Sequence, residues 1–131
     1  TPISIKHNIM KTHHINTSFI VTKDISNPNG FLLPHILYDK IKTVATYPIK
    51  EFYLQSIPNV GDFKFKMYKN AMVNDKLTIQ AQLVKQNKDR YWVNILVTKS
   101  KSSTNHQERI SSALFDFPTE KVQESKHRTA C

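Results

Sequence analysis

One stretch of this chain carries helical periodicity, and the rest must be arranged around it. Within residues 30–47, Leu37, Ile41, Val44 and Ala45 recur at i, i+4, i+7 and i+8, which aligns them as one apolar stripe along a helix. Tyr38 widens the stripe. Pro34 stands in the first turn, where a proline is tolerated because its missing N–H would have no partner anyway. Beyond Gly61 the period changes to two. Residues 62–68 alternate strictly with lysines outward, 77–84 alternate again, 91–98 are apolar on both faces, and 109–117 close the series. The two-sided apolar character of 91–98 predicts a central strand. Ahead of the helix, Ile15, Phe19 and Val21 share one face at period two, which predicts a strand over 15–21.

The connections carry their own chemistry. Residues 24–30, with Asp24, Asn27, Pro28, Asn29 and Gly30, are strong turn formers and lead straight into the helix. A helix N-terminus offers free N–H groups and a positive dipole, so this loop reads either as a turn or as part of a site. Residues 48–58 fit a short second helix or an extended connector equally well. The three connections at 70–75, 86–89 and 99–107 read as hairpins joining antiparallel neighbours. One helix followed by a run of strands predicts an α+β fold, a sheet wrapped around that helix. Residues 1–118 form a single domain in this reading, and 119–131 a polar, disordered tail.

Composition narrows the function classes. At 131 residues the chain can bury a core without disulfide or metal staples. Its single cysteine is Cys131, so no internal disulfide forms, and a reducing compartment fits. No apolar run approaches the ~20 residues of a membrane span, and the first residues lack a signal-peptide core; a cytoplasmic protein is expected. His13 and His14 are adjacent and point to opposite faces of a strand, so no metal site is expected. The net charge of +9 raises the question of nucleic acid. The lysines are scattered along strands and turns, so a solvated basic surface is the leading reading and specific nucleic-acid binding is not expected. An anionic ligand such as the phosphates of coenzyme A, or an acidic carrier protein, is the third.

Several local patterns, in order along residues 15–118, resemble the hot-dog fold superfamily, and the resemblance implies a curved antiparallel sheet wrapped around one long central helix. Leu33-Pro34-His35-Ile36-Leu37 resembles the Met-Pro-Gly-Val-Leu opening of the central helix in 3-hydroxyacyl-ACP dehydratases. Phe63-Lys64-Phe65, then Val73-Asn74-Asp75-Lys76-Leu77, resemble their Lys-Phe strand and Pro-Gly-Asp-x-Leu turn, and residues 111–115 resemble their last strand. Residues 24–30 together with Asp39 resemble instead the Asp-x-Asn-x-x-Gly loop and helix aspartate of acyl-CoA thioesterases.

The two resemblances imply different chemistry. A dehydratase uses a loop histidine to remove the proton alpha to the thioester and a helix acid to protonate the leaving hydroxyl. The Gly-His-Phe-Pro loop is missing here, and the nearest candidates are His35 and Asp39, four apart on one helical face. A thioesterase would use Asp39 as base or nucleophile, Asn27 to orient water or substrate, and helix-start N–H groups to polarise the carbonyl. The glycine pair that precedes such a helix is replaced by Leu32-Leu33-Pro34, and Pro34 has no N–H. The candidate catalytic residues are therefore His35, Asp39 and Asn27, with Gly30, Leu33, Lys88 and Arg90 as candidate substrate contacts. Lys88, Arg90, Lys99 and Lys101 fall near hairpin ends, where they could meet a pantetheine phosphate. No cofactor is expected, since phosphopantetheine would enter as part of the substrate. The expected partners are an acyl carrier protein or acyl-CoA and a second hot-dog subunit, in a homodimer or heterodimer paired through an edge strand. Dehydration of carrier-bound acyl chains in fatty-acid or polyketide-type biosynthesis is the leading expectation. Thioester hydrolysis and a non-catalytic acyl-binding or partner subunit are the alternatives.

Overall fold

The computed structural model describes residues 14–100 and 107–120. His13, Lys101, the segment before residue 14 and the tail beyond residue 120 lie outside the described residues. Five strands, β1 (His14–Ile20), β2 (Asp62–Met67), β3 (Lys76–Gln86), β4 (Arg90–Ser100) and β5 (Gln107–Pro118), form one antiparallel sheet in the order β1-β3-β4-β5-β2. The strands expected from alternation are all present, and β4 is the central one, as its two apolar faces require.

Period two sorts the side chains between the faces. Leu77, Ile79, Ala81 and Leu83 of β3, Val93, Ile95 and Val97 of β4, and Ala113, Phe115 and Phe117 of β5 are all buried on one face. The helix α1 (Pro34–Ala45) lies on that face and contributes Leu37, Ile41, Val44 and Ala45, the four residues of the sequence stripe. Tyr38 extends the contact to Phe63, Phe65 and Phe115, with ring centroids 5.2, 5.8 and 6.1 Å away. The opposite face of the sheet is covered by no described element.

Two expectations are corrected. The helix is not long: α1 has 12 residues, about 18 Å at 1.5 Å per residue, and continues only as a 3₁₀ turn at Tyr47–Phe52. The Thr46 hydroxyl donates to the Thr43 carbonyl at 2.6 Å, and Pro48 follows, with no N–H to carry the ladder on. The 3₁₀ turn also resolves the start of the undecided connector; Tyr53 to Val60 have no regular structure.

The second correction concerns residues 70–75. They do not close a hairpin, because β2 pairs with β5 at one edge while β3 pairs with β1 and β4. The chain therefore crosses from the β2 edge to the other side of the sheet, turning on Asn74 at φ 78° and on the Asp75 carboxylate, which accepts the Met72 N–H at 2.9 Å. The turn at 87–89 is a hairpin, built on Asn87, whose Oδ1 accepts the N–H groups of Asp89 and Arg90 at 2.8 Å each.

Candidate functional site

The loop into α1 is organised by Asn27. Its Oδ1 accepts the N–H groups of Asn29 and Phe31 at 2.9 and 3.0 Å, and its own N–H donates to the Phe31 carbonyl at 2.8 Å. Gly30 then turns the chain at φ +85°, a region costly for any residue with a Cβ. Its carbonyl accepts the Val73 N–H at 3.0 Å, and the Leu32 N–H donates to the Ala71 carbonyl at 2.8 Å. The loop is thereby stitched to the connection that leads into β3. Asn27 and Gly30 thus serve the turn, and the Nδ2 amide of Asn27 is the group it has left for a ligand.

The helix start is nearly used up as a donor. Leu33 donates to Ile25 at 3.0 Å, and Ile36 and Leu37 both donate to the Leu33 carbonyl at 3.1 and 3.2 Å. Pro34 has no N–H. Across 32–37 only the His35 amide donates to no described residue, so one backbone donor is available where a thioesterase-like site would want several. The His35 ring is exposed, and Leu33 is half-buried.

One turn further, Asp39 is the single carboxylate of α1 and is exposed. It borders two clefts, one on each flank of the helix. The first, of about 410 Å³, runs between α1 and β1 and is lined by Thr17, Phe19, Lys40, Thr43 and Tyr47 among others. The second, of about 420 Å³, has Ile57, Pro58, Val60 and Phe117 opposite Lys42, Thr43 and Thr46. Neither cleft includes His35 or Asn27. Asp39, Thr43 and Tyr47 recur at i, i+4 and i+8, so a polar stripe beside the apolar one was present in the sequence and signals this helix face. The contribution of residues 57–60 had no such signal, since they approach only through the fold.

Lys88 and Arg90 stand elsewhere. The loop 22–33 is bonded to residues just before β3, and the 87–89 turn follows the far end of that strand, ten steps from Lys76 to Gln86, roughly 33 Å at 3.3 Å per residue. Arg90 also has a protein partner, with Nη1 2.9 Å from Asp116 Oδ1. Within one chain, then, the structure does not bring Lys88 and Arg90 together with Asn27, Gly30, Leu33 and His35. Lys99, a further candidate cation, pairs with Asp75 at 3.0 Å.

The end of the sheet near Lys88 is instead a structural clamp. The Tyr53 hydroxyl donates to the Pro118 carbonyl at 2.6 Å, Phe52 stacks on Tyr91 at 4.8 Å, and the Thr119 hydroxyl donates to the Lys88 carbonyl at 2.8 Å. Burial, with Tyr91 and Glu120 nearby, pushes the Tyr53 phenol well above its usual range, and burial likewise raises Tyr91. Among the described residues no cluster of three or more His, Cys, Asp or Glu could hold a metal ion. No described helix is long and apolar enough to cross a membrane.

No family model matches the sequence, and no curated protein does. Solved structures do match. The chain is similar to an acyl-CoA hydrolase from Staphylococcus aureus in complex with butyryl coenzyme A, at 12% identity and a TM-score of 0.77, over 84% of this chain and 67% of that one. It is similar to a 4-hydroxybenzoyl CoA thioesterase variant complexed with 4-hydroxybenzoyl CoA, at 10% identity and 0.71, over 81% and 84%. A hexameric thioesterase from Yersinia pestis matches at 18% identity and 0.68, over 79% and 84%. Identities this low speak for architecture alone, and the architecture they share with five antiparallel strands laid around a helix is the one described above. The chain has the hot-dog fold.

Proposed function

We propose that this protein is a thioester hydrolase, with acyl-CoA as the substrate class and Asp39 as the group that activates water. The observation that carries the proposal is the position of Asp39, the one carboxylate of α1, on the border of two clefts that both mix polar and apolar side chains. The cleft with Ile57, Val60 and Phe117 offers apolar wall for an acyl chain, and the cleft beside β1 offers Thr17, Ser18 and Lys40 to the polar arm of the thiol. The Asp39 carboxylate would take a proton from water as its oxygen attacks the thioester carbonyl carbon. The tetrahedral oxyanion then collapses, the carbon–sulfur bond breaks, and the thiolate leaves with the proton, giving a carboxylic acid and a free thiol. The His35 N–H lies about 6 Å back along the axis and outside both clefts, so it meets the oxyanion only where the substrate extends from a cleft to the helix start. Asn27, which also lines neither cleft, would act through its Nδ2 amide on the same condition.

Support for hydrolysis over dehydration comes from the similar structures named above, which are hydrolases and thioesterases. The dehydratase reading, with His35 and Asp39 as a proton-transfer pair, draws no such support; the two side chains are exposed and share neither cleft. We further propose a dimer paired through β2, an edge strand on which Phe63 is 49% exposed, since such an edge is otherwise an invitation to aggregate. A cytoplasmic location goes with this reading.

Incubation with a series of acyl-CoA thioesters, followed by a thiol reagent and by intact mass, tests the proposal. Release of free coenzyme A with formation of the acid is expected. Loss of one water from a 3-hydroxyacyl thioester, with the thioester intact, would return the protein to the dehydratase reading. No change in any thioester would make it a binding or partner subunit.

A further inference from the structure

The sheet has a second face, and its side chains are not those of a solvated surface alone. Alternation and register bring Lys64 and Lys66 of β2, Lys85 of β3 and Arg109 of β5 onto the face that α1 leaves bare. These cations were scattered in the sequence and are gathered only by the pairing. On the central strand β4, near the end that meets the 87–89 turn, Trp92 is partly exposed, and the Lys85 ammonium lies 4.8 Å from the centroid of its ring. A flexible lysine, not the core, therefore covers the indole face and can give way to a flat ligand. Gln80, Gln82 and Asn94 stand between the cations and supply amide donors and acceptors.

A second cluster lies along the same face. The Tyr68 hydroxyl is 2.9 Å from the Ser112 hydroxyl, with Lys66 and Arg109 at 5.4 and 5.2 Å from the Tyr68 ring. The Ser112 hydrogen bond, with Arg109 and Lys66, holds the phenol below its usual range, as a locally positive field does. Hydroxyls and cations converging in this way suit a phosphate oxygen. Trp92 pairs with Asp116, and Ser112 lies four residues back along β5, so the two centres are about 13 Å apart on one straight path. The face's carboxylates, Asp62 and Asp116, lie at the same end of the sheet as Trp92, Asp116 directly across from it; Asp116 is neutralised by Arg90, and Lys64 stands beside Asp62.

We propose that this uncovered sheet face binds single-stranded nucleic acid without sequence preference, stacking a base on Trp92 and placing phosphates on Lys64, Lys66, Lys85 and Arg109. An aromatic platform flanked by a cationic track is the arrangement such binding needs. Charge decides against a second copy of the chain as occupant, because two such faces would set like cations against each other. The proposal is independent of thioester hydrolysis and uses no residue of the Asp39 clefts.

Trp92 is the chain's only tryptophan, so its emission reports on this face alone. The full chain is titrated with a dye-labelled oligothymidylate in about 50 mM salt, following both anisotropy and tryptophan emission. Saturable binding in the micromolar range is expected, within the ~10⁻⁴–10⁻⁶ M of non-specific association, together with quenching of Trp92. Four phosphate contacts at a slope of about −0.7 each predict roughly 50-fold weaker binding at about 200 mM salt. Lys85→Glu with Arg109→Glu, both exposed and away from the sheet edges, weakens binding at least about tenfold, judged from the loss of two such contacts. Lys64→Gln with Lys66→Gln gives the same direction should the first pair fail to fold. Absence of saturable binding overturns the proposal. So does binding without quenching of Trp92, binding matched by base-free polyphosphate, or a concentration-dependent emission shift without nucleic acid, which would mark self-association.

Discussion

Replacing Tyr53 by phenylalanine removes one oxygen and leaves the packing of the ring in place. Tyr53 is 7% exposed, and its hydroxyl donates to the Pro118 carbonyl at 2.6 Å, tying the connector after α1 to the end of β5. The variant loses that hydrogen bond and leaves a carbonyl without its donor, a combined loss of about 1–2 kcal/mol. In a domain of this size, 1 kcal/mol corresponds to roughly 3–5 °C in Tm. A second consequence depends on pH. Burial raises the folded phenol above its usual range, so above about pH 10 the unfolded chain releases a proton that the folded chain keeps. Stability from this group is complete below the unfolded pKa and falls as pH rises through the window above it, by about 1.4 kcal/mol in the first pH unit. Phenylalanine has no such loss, and the contributions of Tyr91 and Tyr68 are common to both proteins. Urea unfolding at pH 7 and pH 11 should therefore show the variant less stable at neutrality, with the gap nearly closed at pH 11. An equal gap at both pH values would refute the reasoning.

Further perturbations probe other links. Gly30→Ala meets no atom nearer than Val73 at 4.0 Å, so its destabilisation, about 1 kcal/mol by chemical unfolding, comes from the positive φ alone. Gly61→Ala drives a Cβ into the Asp116 carboxylate and the Arg90 guanidinium, and should cost more than Gly30→Ala while loosening the Arg90–Asp116 pair. Leu37→Ala, fully buried between α1 and the sheet, should cost about 2–5 kcal/mol in the same assay. Phe63→Lys on the β2 edge should shift a dimer toward monomer by light scattering; an unchanged mass would place the interface elsewhere.

What was legible in the sequence follows from the range of the interactions involved. Leu37, Ile41, Val44 and Ala45 were read as the buried stripe because helix geometry is local. The strands were read from alternation, also local, and β2 begins at Asp62 as expected. Partners were not legible. Residues 70–75 carry genuine turn chemistry, but nothing within them says that β2 will pair with β5 rather than β3. The same gap hid the Arg90–Asp116 ion pair, the contribution of residues 57–60 to the Asp39 cleft, and the gathering of Lys64, Lys66, Lys85 and Arg109 on one face. Asn27 was readable as a turn former from its neighbours Pro28 and Gly30, and the structure shows its Oδ1 so engaged. The end of the helix was legible as well, since the apolar stripe stops at Ala45 and Pro48 follows.

The central claim is that Asp39 drives thioester hydrolysis, and steady-state kinetics of the purified chain and its Asp39→Asn variant on the best acyl-CoA substrate test it most directly. Loss of a general base predicts a fall in kcat of about 10²–10⁴, with KM little changed because the two clefts keep their shape. A variant that hydrolyses the thioester as fast as the parent chain would contradict the account.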